Sequence, residues 1–162
     1  MQRFLDAIRA LDGVVELAPD EGSEYPEIAW GDHFFYHSRD GTVPQNVQPF
    51  ATIITKDYPD DAGSRLDPPG RWRLNLHVGA PTMSELFGDG ADYLPELDRS
   101  EADLLVPHPV YAQLGWVAVT NPGDRTTATV LELVRAAHAD ERRRVDRRAG
   151  GSPRPPSPGD DL

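Results

Sequence analysis

The segment Arg71–Val78, RWRLNLHV, constrains this chain more than any other. Trp72, Leu74, Leu76 and Val78 point one way; Arg71, Arg73, Asn75 and His77 point the other. Strict period two is the signature of a strand with one apolar and one polar face. Such a strand needs neighbours, and its apolar face needs a covering layer.

The neighbours are legible. Ile28–His37 is rich in aromatics, and Phe50–Lys56 is β-branched; both are predicted strands. GWVAVTN, Gly115–Asn121, is another, and VVEL, Val14–Leu17, a brief extended piece. In the late strand Trp116, Ala118 and Thr120 share one face; Val117 and Val119 share the other.

The cover is helical. Phe4, Leu5, Ile8 and Leu11 recur at helical spacing until Asp12-Gly13 stops them. Near the other end Val130, Leu131, Val134, Ala137 and His138 form a stripe, with Thr126 or Thr127 as its cap. PTMSELFG is predicted as a short helix with Pro81 in its first turn and Gly88 ending it. The acidic segment before Pro107 permits one more helical piece, around Glu96–Leu105. The expected fold is α+β, a two-layer sandwich. Its sheet is mainly antiparallel, with the N-terminal and long C-terminal helices on one face. Residues 1–148 make a single domain, and 149–162, rich in proline and glycine, read as a disordered tail.

Charge narrows the partners. Residues 1–138 carry 10 Lys and Arg against 22 Asp and Glu, and residues 139–162 carry 6 against 5. An acidic body repels phosphate backbones, which disfavours nucleic acid. The dense basic run, Glu141–Arg148, matches the dipole at the end of the last helix. There is no cysteine, which excludes disulfides and thiolate metal sites. The N-terminus has no long apolar run, so neither a leader nor a membrane span is expected, and the cytoplasm is the default.

Candidate sites come next. His33 and His37 lie four apart on one strand, and with His77 they form a permissive divalent-metal set that lacks any recognised motif. Asp57, Asp60, Asp61 and Asp67 crowd one loop, read as solvated rather than as a cation site. Ser64 and Ser84 stand in no nucleophile motif, and no cofactor-binding motif is found, so no cofactor is expected. The binding candidates are Arg73, Asn75 and His77 on the polar strand face, His108 and Tyr111 in the loop before the late strand, and Trp116 at its start. Trp116 beside Gly115 reads first as packing.

QPFATIITKDYP, SRLDPPGRWRLNLHVG, ELFG and PHPVYAQLGWVAVTNP, followed by the long last helix, resemble a family of small actinobacterial proteins known as a domain of unknown function. The resemblance runs from about Phe4 to His138. At the level of fold, FFYH, FATII, RLNLHV, GWVAV and VLELVRAAH also look like the strand and helix series of the YjbR/MmcQ-like proteins. Arg73, Leu74, Asn75, Leu76 and Trp116 take the equivalent places. That resemblance implies an α/β sandwich, and DNA binding in some members; the acidic body departs from it.

Three readings follow. The first is a non-catalytic binding module for a small molecule or protein, using the polar strand face and the His108–Tyr111 loop. The second is nucleic-acid binding. The third is a metal-dependent hydrolase built on His33, His37 and His77. The absence of a catalytic signature places the first ahead. A second copy of the chain stays among the partners, because homodimers are common.

Overall fold

The computed structural model describes residues 1–89 and 97–150. Six strands form one antiparallel sheet: β1 Val14–Leu17, β2 His33–His37, β3 Ala51–Ile54, β4 Arg73–His77, β5 Leu105–Pro107 and β6 Trp116–Thr120. Their spatial order is β1-β2-β3-β4-β6-β5. The helices are α1 Gln2–Arg9, α2 Ala80–Phe87 and α3 Thr127–Gly150.

One face of the sheet carries the core. Phe35, Ile53, Leu74, Leu76, Val117 and Val119 meet Phe4, Leu5 and Ile8 of α1, Met83 of α2, and Val130, Leu133, Val134 and Ala137 of α3. The register explains the choice of face. Ile53 pairs with both His33 and Leu74, and Leu74 pairs with Val119. Directly paired residues project to the same side. The α+β sandwich is therefore the architecture, with its helices on one face.

Three local expectations are corrected. The strand expected over Ile28–His37 begins only at His33; Glu27–Ala29 is a single 3-10 turn, and Gly31 follows it at φ +85°. The helical piece expected at Glu96–Leu105 does not form over 97–104, and Leu105 opens β5; Glu96 lies outside the described residues. Leu133, not Leu131, is the fully packed leucine of α3, with Leu131 at the cluster's edge.

The start of α3 is tied from a distance. The Asp103 carboxylate accepts bonds from the backbone N–H groups of Gly123, Arg125 and Thr126, and from the Thr126 hydroxyl. These bonds, led by that of the Thr126 hydroxyl, hold its pKa down to about 2. The helix runs to Gly150, the last described residue and two residues beyond the domain limit set from composition; the rest of the tail lies outside the described residues.

Halfway along α3, the His138 ring meets the turn after α1. Its Nε2 lies 2.7 Å from the Asp12 carbonyl oxygen, and His37 Nδ1 lies 3.2 Å from the same atom. Both rings donate to one carbonyl, which has two lone pairs to give. The two imidazoles pack edge-on, with centroids 5.3 Å apart.

Candidate functional site

The second sheet face is the one RWRLNLHV predicts to be polar. Arg73, Asn75 and His77 lie there, with Phe34 and Tyr36 of β2, Thr52 of β3 and Trp116 of β6. This face is not an open surface. Arg73 and Asn75 are each only 2% exposed. The loop 57–67 crosses over them, and a cavity of about 810 Å³ lies beside it, above the sheet.

The loop is fastened by charge. Arg73 makes a two-pronged bond to Asp61, with N–O distances of 3.0 and 2.5 Å. It also donates to Ser64 Oγ at 2.9 Å and to Asn75 Oδ1 at 2.7 Å. Asn75 in turn donates to Thr52 Oγ1 at 2.9 Å. Tyr58, at the start of the loop, donates its hydroxyl to the fully buried carboxylate of Asp32, the residue just before β2. Burial and this contact with Asp32 hold the Tyr58 hydroxyl protonated well above the ordinary range. Burial opposes ionisation of Asp61, but the Arg73 bonds and charge outweigh it, and its pKa falls below the usual value. Arg71, expected beside Arg73, leaves the cavity and binds the carbonyls of Ser64, Arg65 and Ser100.

His108 closes one side, at 3% exposure. Its Nδ1 receives the backbone N–H groups of Val110 and Tyr111, each at 3.0 Å. Nδ1 is therefore an acceptor, and the neutral ring must carry its proton on Nε2. The 3.2 Å approach of Arg73 to Nε2 then sets two donors together, while Asp61 Oδ2 stands 3.8 Å away. Burial, then the Arg73 charge, push the His108 pKa down to about 3, against a weaker pull from Asp61. We expect side-chain nitrogen NMR to show the Nε2–H tautomer unchanged between pH 8 and 5; an inflection near pH 6.5 would refute the assignment. The sign for stability follows. The unfolded ring takes up a proton near pH 6.5 and the folded ring only near 3, so this group's contribution is lost as pH falls through that window.

The opposite end is made by α3. Twenty-four helical residues span about 36 Å, whereas a five-residue strand spans roughly 17 Å. The helix outruns the sheet, and Glu141, Arg144 and Arg148 line the cavity. His77 Nε2 lies 3.0 Å from the Leu114 carbonyl, and its Nδ1 lies 3.3 Å from an Arg144 nitrogen. A neutral ring donating from Nε2 and accepting at Nδ1 satisfies both contacts. Burial, and after it the Arg144 charge, lower the His77 pKa. Trp116 is half-buried here, edge-on to His77 with centroids 5.5 Å apart. Tyr111 stands at the rim, 45% exposed, its ring 4.9 Å from that of His108.

All six binding candidates named from sequence thus line one cavity. The histidine metal set does not assemble. His33 and His37 project to the core face and His77 to the cavity face; His33 binds Glu16 at 2.6 Å. Among the described residues no group of three or more His, Cys, Asp or Glu could hold a metal ion. Ser64 is sealed at 0% exposure with its hydroxyl engaged by Arg73. Four of the five arginines in the basic run face carboxylates: Arg142 faces Asp12, Arg143 faces Asp140, and Arg144 and Arg148 share the single Glu141. Sequence reasoning missed Tyr58, Tyr36, Thr52 and Glu141 as cavity residues, and read Asp61 as solvent-facing. The one available signal was the period-two partnering of Tyr36 and Thr52 with the polar face.

The fold and cavity define an α+β sandwich with a pocket on the second sheet face, partly covered by the loop 57–67 and bounded at one end by the overhanging α3. The chain belongs to DUF6194, a family of unknown function whose model matches residues 1–150. Comparisons with curated proteins and with solved structures returned no match, and the resemblance to YjbR/MmcQ-like proteins gains no support from them. No helix of the described residues is long and apolar enough to cross a membrane.

Proposed function

We propose that this chain is a non-catalytic module that holds a small organic molecule in the cavity above the sheet. The observation that carries the reading is convergence: β2, β3, β4, β6, the His108–Tyr111 loop and α3 all send side chains into one space of about 810 Å³. That is within the range of pockets that enclose drug-sized ligands. The walls mix aromatic rings with a few oriented polar groups, the usual composition of such pockets. The engagement of both cavity histidines by fixed partners supports binding over acid–base chemistry.

Native mass spectrometry of the purified protein tests this. The expected result is a co-purifying organic mass, released on denaturation and lost in Trp116→Ala. A bare chain, together with no stabilisation of the wild type by any member of a metabolite collection in thermal melts, would overturn the reading.

A further inference from the structure

The two ends of the cavity differ in charge. At one end Arg73 and Asp61 form a buried pair of zero net charge, and the neighbouring Asp60 adds a negative charge to the lining. At the other, two guanidiniums share one carboxylate: Arg144 Nε donates to one oxygen of Glu141 at 3.0 Å, and Arg148 to the other at 3.1 Å. His77 adds no charge there, because its two ring nitrogens suit the neutral form. Of the neighbouring carboxylates, Asp140 is held by Arg143 and Asp146 faces Arg39. This end carries one positive charge in surplus, in a chain whose net charge is −11. Both arginines remain within reach of solvent, with side chains 32% and 54% exposed.

Beside that surplus the surface is aromatic. Trp116 flanks His77, and Tyr36 lies across the sheet on β2. Midway along the floor Thr52 accepts from Asn75, which leaves the hydroxyl proton to donate into the cavity. From Arg73 to His77 the floor runs about 13 Å along β4.

Building on the binding reading above, we propose that the occupant is an aromatic monoanion. Its carboxylate is held by Arg144 and Arg148 and its ring rests against Trp116, with the rest of the molecule reaching across the sheet toward Tyr36. A planar guanidinium fork matches a carboxylate, and one surplus charge matches one negative charge. Ring stacking supplies the apolar contact, and the Thr52 hydroxyl takes an acceptor further along the molecule.

Two fluorescent probes of nearly the same shape separate charge from shape: anilinonaphthalene sulfonate, a monoanion, and uncharged phenylnaphthylamine. Fluorescence titrations of the full chain are expected to show the anion bound about tenfold more tightly than its neutral counterpart. In Arg144→Gln and Arg148→Ala that preference should fall toward unity. The neutral probe's affinity should stay unchanged, which also reports that the variants are folded. Equal affinity of the wild type for both probes overturns the anion assignment and leaves the cavity reading standing. A preference that survives in both variants overturns it too, since the anion would then be held elsewhere. Failure of both probes to bind also counts against the anion assignment, and a bare chain in native mass spectrometry would remove the cavity reading with it.

Discussion

Asp61→Ala is expected to destabilise the protein by about 3–5 kcal/mol, the usual cost of leaving one partner of a buried ion pair uncompensated. Arg73 is only 2% exposed, so it has little access to water in place of the lost carboxylate. The remaining contacts, Ser64 Oγ and Asn75 Oδ1, carry no charge. In a domain of this size the loss corresponds to a melting shift of roughly 6–20 °C. Urea denaturation of wild type, Asp61→Ala, Arg73→Met and the double variant measures it. The double variant should be less damaged than the sum of the singles, because it leaves no orphaned charge. A loss below about 1 kcal/mol for Asp61→Ala would mean that the loop 57–67 is a solvated flap and not a roof.

Gly115→Ala should be nearly as harmful, for a backbone reason. Gly115 sits at φ +87°, and an added Cβ would lie 2.8 Å from Gly79 Cα and 3.0 Å from Gly79 N. Those atoms cannot withdraw cheaply, since the Gly115 carbonyl accepts from both Val78 and Gly79. The left-handed conformation and the overlap together cost roughly 2–5 kcal/mol. Gly22→Ala is the control: φ is +84° there, with nothing within 4 Å of the added carbon. It should cost only the conformational part, about 1–2 kcal/mol. If the two variants melt together, the contact between Gly115 and Gly79 is looser than it stands here. The 3-10 turn Ala112–Leu114 precedes Gly115 and presents the Leu114 carbonyl to His77, so the same variant should also disturb the His77 ring.

Much of the fold was legible because its elements obey local rules. The alternation of RWRLNLHV, the β-branched run at Ala51–Ile54 and the stripes of α1 and α3 each name their own structure. What alternation cannot carry is which face of one strand matches which face of the next. His33, His37 and His77 looked like a set, but the register turns His77 away. Nor does a strand disclose what lies above it. Alternation puts Arg73 and Asn75 on a polar face but does not disclose their cover, because the residue that neutralises Arg73, Asp61, is twelve positions upstream in an acidic loop. The helix cap at Asp103 escaped for the same reason: it reaches α3 from a separate segment, and the short-range motif around Thr126 showed only half of it. The six binding candidates fared better. Four of them lie on β4 and β6, where period two sends Arg73, Asn75, His77 and Trp116 to one side.

The overhang of α3 makes the core and the cavity share a single rod. Its first turns are clamped by Val130 and Val134 against the sheet; its last turns are held by surface ion pairs, Arg142 with Asp12, Asp146 with Arg39, and Arg144 and Arg148 with Glu141. Local opening of a protein begins where such support is thinnest. Any ligand gripping Arg144 would therefore damp fraying of the final turns, and by reciprocity whatever straightens those turns would tighten its grip. The end of the helix is in this sense a readout of the pocket, carried on the same element that anchors the hydrophobic layer behind the sheet.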